Sequence, residues 1–277
     1  MVNSPGFNPA RRNKNIGTDA QGFKKQKPFG ISSSARDDRR FYEKLNNPVE
    51  TFHELNQHKF AILIEPAFAG FKYHVSIPDV LEVLKLIPES DRTDIKVIVF
   101  RQPKRKERIF SSVWGRMSYW ADFGKHGGTS IIIEALPVNY CYKLGKHIGP
   151  DFAKEIEALR SDGHVIETTP KHISVICPPE AIRHTQLFRT LPHEIGHNID
   201  YLTKVDRPYD RGEGELDDLT RLYFARPQRE REQFANRYAL GIMAPFRAND
   251  IVPFPPLKNR DIALVKPAWF YFDTADI

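Results

Sequence analysis

A chain of 277 residues with 40% hydrophobic content can bury one good core and at most a small appendage. Its apolar runs, such as Phe60–Ile64 and Ile131–Ile133, are strand-sized, and none has the length of a membrane span. Two cysteines, Cys141 and Cys177, exclude a disulfide framework; with a polar N-terminus lacking an apolar signal core, they predict a reducing, cytoplasmic setting, with secretion or translocation as the alternative.

The formal charge of +6 is unevenly placed. Residues 1–40 carry nine Lys/Arg against three Asp, so the remaining 32 basic and 32 acidic side chains of residues 41–277 cancel. The first segment is also rich in Gly, Ser, Asn and Pro and lacks apolar periodicity. It predicts a disordered basic tail over residues 1–42, followed by one domain over 43–277. Such a tail could make weak electrostatic contacts with nucleic acid or an acidic partner, serve in translocation, or simply be solvated.

Along the domain, residues 40–58 read as a short helix, Lys59–Glu65 as a strand and Pro78–Ile87 as a helix. Lys96–Phe100 reads as a buried strand. The basic loop Gln102–Arg108 leads into Ile109–Trp114, a turn at Gly115, and a strand over Met117–Phe123. A Gly-rich turn at Gly124–Gly128 precedes a strand over Thr129–Leu136, which suggests an antiparallel meander in part of the sheet. Ser130–Glu134 is the strand expected to pair with an extended substrate. Asp151–Arg160 reads as a helix and His172–Cys177 as a strand. The aromatics between Pro253 and Phe272 are too many to stand free in water, so they should pack on the domain or line its cleft.

The most informative run is Leu191–Tyr201, which contains His193-Glu194-Ile195-Gly196-His197. Histidines four apart share one helix face, so both imidazoles can reach one metal ion, and Glu194 can sit beside a water on that ion. Leu191, Ile195, Ile199 and Leu202 recur at helical spacing on another face and would anchor the helix in a core. Pro192 is tolerated in a first turn, which places the start of this helix near Thr190–Pro192.

A catalytic zinc takes three protein ligands and leaves one position open. Beyond His197, the positions where a metzincin would supply its third ligand hold Asp200 and Thr203, which do not fit that pattern. A later segment, Arg229–Leu240, offers Glu232 on a face shared with Ala235, Asn236 and Ala239. The alanines would let that helix pack close to the first, with Phe234, Tyr238 and Ile242 facing the core. Glu232 is therefore the expected third ligand and Glu230 its nearest competitor. Asn236 and Asp200 are candidates to hold a ligand histidine in place from behind. Tyr201 and Tyr238, with His184 and Arg237, are candidates for the donor that steadies a developing oxyanion.

His-Glu-x-x-His followed by Glu-x-x-Ala-Asn-x-aromatic-Ala resembles the gluzincin metallopeptidases, and among them is most similar to the ImmA/IrrE-type family. The resemblance also draws on Ile173–Val175, Phe188-Arg189 and the ending Gly241–Pro245, and covers roughly residues 170–245. The chain departs from the family in the 34 residues between His197 and Glu232, in its Ile242-Met-Ala-Pro245 ending, and in lacking an evident helix-turn-helix partner domain. The resemblance implies a zincin-like α+β fold: a twisted mixed or antiparallel sheet against a metal-binding HExxH helix and a second ligand helix. It also implies a zinc-dependent endopeptidase acting on a protein or peptide, with Zn2+ on His193, His197 and Glu232 and with Glu194 as general base. A zinc scaffold that binds a partner such as a DNA-binding repressor without cleaving it, and a translocated effector or toxin protease, are the alternatives.

Overall fold

The computed structural model describes residues 39–104, 107, 114–145, 150–260 and 265–274. The chain divides into two units, Met1–Arg40 and Phe41–Ile277, and the fold below is that of the second. The expectations for the basic tail, and most of those for Gln102–Trp114, lie outside the described residues.

The unit is mixed α+β. Strands β1 (Val49–Leu55), β2 (His58–Ile64), β4 (Val97–Arg101), β5 (Gly115–Asp122) and β6 (Gly127–Glu134) form a five-stranded sheet in the order β1-β2-β4-β6-β5. Its centre is parallel, β2 to β4 to β6, and both flanks are antiparallel. Parallel neighbours need a crossover, and helix α1 (Ile77–Leu86) supplies the one between β2 and β4. Strands β3 (Phe71–Lys72) and β7 (Leu136–Pro137) form a small pair, and β8 (Cys141–Gly145), β10 (His172–Ile176) and β9 (Val165–Thr168) a second antiparallel sheet beside helix α2 (Pro150–Ser161).

The central strands read as runs rather than alternations because both faces are covered. Ile62, Ile64, Ile98, Phe100, Ile131 and Ile133 face the main core. Their neighbours Ala61, Leu63, Val97, Val99 and Ile132 meet Tyr42 on the other face. Leu191, Ile195 and Ile199, the expected apolar stripe, join the main core with Leu202 packed against it. So do the C-terminal aromatics Phe254, Trp269 and Phe270, as their number suggested. That segment is tied down through Asp79, which closes a capping box with Ser76 at the start of α1. Asp79 also accepts two hydrogen bonds from Arg183, whose Nη1 in turn holds the Phe254 carbonyl at 2.9 Å.

Three local expectations are corrected. Residues Val49–Leu55 are a strand within the expected 40–58 helix, because Asn56 and Gln57 both take left-handed backbone angles (φ 51° and 66°) and turn β1 tightly onto β2. Gly115 begins β5 instead of forming a turn: a Cβ there would lie 2.8 Å from Thr190 Cγ2 and 3.1 Å from the Ile132 carbonyl, so its bareness serves close packing. Ser130–Glu134 lies inside the sheet between β4 and β5 and has no edge to offer; the edge strands are β1 and β5.

The motif helix begins at Leu191, within the expected Thr190–Pro192 start, but it continues a helix that is already running. Helix α3 (Pro179–Thr185) runs through a π-helical segment, Gln186–Thr190, into α4 (Leu191–Tyr201) without a break. Pro192 has no N–H to give the Phe188 carbonyl. The Leu191 N–H instead reaches back to Gln186 O, and Arg247 Nη2 donates to Phe188 O at 3.2 Å. A second π segment, Leu202–Asp206, ends just before Arg207-Pro208 in the same way. Helix α5 (Leu216–Ala225) and the long α6 (Gln228–Ala248) follow. No helix among the described residues is long and apolar enough to cross a membrane.

Helix α6 crosses α4 in close contact at Gly196. A Cβ built there would stand 2.8 Å from Ala235 Cα, 3.0 Å from Ala235 O and 3.1 Å from Tyr238 Cβ. Alanine would raise intrinsic helix propensity by up to about 1 kcal/mol. The clash is mainly with backbone that cannot rotate away, and overpacking of that kind costs about 1–3 kcal/mol. Gly196→Ala is expected to lower the urea midpoint of the full chain.

Candidate metal centre

Helix geometry stacks His193 and His197 on one face of α4, with ring centroids 4.6 Å apart. Helix α6 brings Glu232 across to them: its Oε2 lies 3.3 Å from His193 Nε2 and 3.6 Å from His197 Nε2. One ligand atom from each residue falls within 4.8 Å of the others. Two ligands about 2.1 Å from a tetrahedral zinc are separated by about 3.4 Å, so the two N···O distances fit such an ion. Asn236, one turn beyond Glu232, places Oδ1 at 2.9 Å from His193 Nδ1. That contact turns Nε2 toward Glu232 and fits a ring whose Nδ1 carries the proton.

Electrostatics follow from these contacts. Hydrogen bonds with His193 and His197 hold the Glu232 carboxyl well below the usual carboxylate range, against the opposing effect of burial. Burial disfavours a charged His193, but the Glu232 hydrogen bond and the nearby Glu194 and Glu232 charges outweigh it and raise its pKa. Glu194 is 8% exposed. Burial raises its pKa, while His193, His197 and a hydrogen bond from the Met117 backbone pull the other way. A carboxyl kept this dry is a better base than one in water.

Other predicted residues turn elsewhere. Glu230 is exposed and lies 3.6 Å from Arg226 Nε. Asp200 is buried and paired with Arg226 at 2.8 Å and Lys204 at 3.8 Å, so it fastens the turn between α5 and α6 to α4. Tyr201 sits in an aromatic cluster with its hydroxyl 3.1 Å from Thr220 Oγ1. Tyr238 donates to Asp91 Oδ2 at 2.9 Å, and His184 Nδ1 is 2.9 Å from Asp162 Oδ1. Both tyrosines thus spend their hydroxyls away from the cluster. Arg237 lines a cavity that Glu232 also lines.

Sequence reading missed the support behind the cleft. Arg189 donates to Asp162 at 2.7 Å and to both Glu155 oxygens at 2.7 and 2.8 Å. Asp162 is further held by Thr185 at 2.8 Å, and Thr185 by His164 Nε2 at 2.8 Å. These partners are 21 to 34 positions apart and carry no local spacing signal. Trp114, Gly115, Arg189 and Thr190 line a cleft of about 370 Å³ with His193, Glu194, Glu232 and Asn236.

Set beside known protein families, curated proteins and solved structures, the chain has no match.

The buried His164 gives the network a pH signature. Burial lowers its pKa to about 4, against the pull of Asp162. The unfolded ring takes a proton below about pH 6.5, the folded ring only below about 4, so between these values the unfolded state binds more protons. Stability from the neutral ring is complete above pH 6.5 and is lost as pH falls toward 4. Urea unfolding from pH 7 to 4 is expected to show this decline, and His164→Asn to flatten its slope by about one proton.

Proposed function

We propose that this chain is a zinc-dependent endopeptidase of zincin-like fold, related in chemistry to the ImmA/IrrE-type gluzincins. The observation that carries the reading is the meeting of His193, His197 and Glu232 with Glu194 buried at their side. Two imidazoles and a carboxylate are a donor set that suits zinc and leaves a coordination position open. Zinc bound there supplies Lewis-acid polarisation and an acidified water, with a pKa brought toward about 7.

The protein's own groups do the rest. Glu194 takes a proton on its carboxylate as the peptide carbonyl is attacked, and returns it to the leaving amine. Burial raises its pKa, which makes it a stronger base than a solvated carboxylate. Asn236 keeps the His193 ring oriented. An extended substrate pairs with the outer edge of β5, the sheet edge nearest α4, whose Met117 N–H already reaches Glu194. The substrate is a protein or peptide segment that can lie extended along that edge.

Zinc per chain, measured in protein purified without added metal, tests the site. Near one in the wild type is expected, with much less in His197→Ala and Glu232→Ala. Retention by Glu232→Ala would remove Glu232 from the ligand set. Glu194→Gln tests the chemistry: it should keep its zinc and lose about 10²- to 10⁴-fold in kcat on a cleaved peptide. A Glu194→Gln protein that keeps full cellular function would favour the partner-binding scaffold.

A further inference from the structure

Beside the metal-ligand cluster lies a cavity of about 480 Å³ whose walls are unusually cationic. Lys154 of α2, Arg189 of the π segment, and Arg229, Arg237 and Arg247 of α6 line it, against only two carboxylates, Glu155 and Glu232. Residues 41–277 as a whole are charge-neutral, so this is a local concentration drawn from three separate elements. Glu155 is already bound to Arg189, and Glu232 faces the histidines. Among the described residues, Lys154 and Arg237 have no ion-pair partner.

The cavity opens onto the site. Glu155, Arg189, Glu232 and Asn236 line both it and the cleft that holds His193 and Glu194. Part of its wall is fixed: Arg189 is clamped by Asp162 and Glu155, and Arg247 is tied to the Phe188 carbonyl. Phe188, Ala158, Ala239 and Leu240 add apolar surface, which weakens screening of the charges above it. A nucleic acid would track cations along an open surface, whereas these surround a recess next to the ligand helix.

We propose that this recess is a specificity subsite that binds a carboxylate of the substrate peptide, through Lys154 and Arg237 with Arg189 as the fixed wall. The proposal rests on the peptidase reading for its substrate class but not for its test. The carboxylate belongs to an Asp or Glu side chain or to the peptide's C-terminus, two sources with the same chemistry.

Binding is measured by fluorescence anisotropy on zinc-loaded, full-length Glu194→Gln protein, so that no peptide is consumed. The probes are labelled random hexapeptide pools with one position fixed as Asp, Asn or Lys, each with a free and an amidated C-terminus. The Asp pool should bind about fivefold tighter than the Asn pool, as a partly exposed ion pair allows, and the preference should shrink with salt. Preference only for free C-termini would assign the subsite to the terminal carboxylate. Adding Lys154→Glu and Arg237→Glu should abolish or reverse the preference, and adding Lys154→Gln and Arg237→Gln should weaken it with zinc content unchanged. Equal binding of carboxylate and neutral pools, or a preference untouched by both pairs, overturns the subsite. An oligonucleotide that displaces the Asp pool while the Asn pool binds equally well assigns the recess to nucleic acid and also overturns it. A wild type that selects the Asp pool but cuts nothing sinks the peptidase reading alone.

Discussion

The arrangement depends on one bare backbone position. Gly196 lies between the two histidines on α4, and the space a side chain would fill there is taken by Ala235 and Tyr238 of α6. Glu232 stands less than one turn before Ala235, so the closeness of the helices sets how far its carboxylate reaches. A glutamate side chain is flexible and its ordering costs rotamer entropy. Pressing the backbones together shortens the distance it must bridge, and 3.3 and 3.6 Å to two imidazoles is the result. The rest of α6 follows: Phe234 and Tyr238 seal the core side, and Asn236 is delivered to the back of His193.

The prolines around the motif helix make a related point. An interior proline usually ends or kinks a helix because it strands a carbonyl and crowds the preceding turn. Here Pro192 is preceded by a wider π turn, and Phe188 O takes its hydrogen bond from Arg247 on α6. Carbonyl satisfaction and ligand placement therefore share a helix: α6 supplies Glu232 near one end and Arg247 near the other. The π turn also advances Arg189 to the cleft, where Asp162 and Glu155 lock it.

What was legible in the sequence was what repeats locally. The 3.6-residue periodicity of Leu191, Ile195 and Ile199, the four-residue histidine spacing and the Glu-x-x-Ala-Asn run placed α4, α6 and the three clustered side chains. The buried strand runs were legible for the same reason. What depended on pairing between distant segments was not. Asp200 sits at i+7 from His193 and so suggested a supporting role, but Arg226 claims it, because a fully buried carboxylate needs a cation more than an imidazole needs an acceptor. Tyr238 was drawn away by Asp91, 147 positions earlier. Strand order had one local sign: Ser130–Glu134 has the hydrophobic run of a central strand, and that run argued for an interior place rather than the substrate-pairing edge. Asn56-Gln57 and the Ser76/Asp79 capping box were local signals that could have been read and were not.

The two sides of the cleft differ in what they can recognise. The β5 side offers main-chain groups, which would pair with extended peptides largely alike and so set register more than discriminate. The opposite side is built from side chains of α2, the π segment and α6, and there cations outnumber carboxylates. For a peptide bound there, selectivity would come chiefly from the second side, since specificity is a difference of affinities and backbone pairing contributes nearly the same to each. Glu232 belongs to that side and to the histidine cluster at once. Its ionised form, the form that can serve as a ligand, is favoured by His193 and His197, so the groups that would share the metal also prepare its third ligand, the carboxylate.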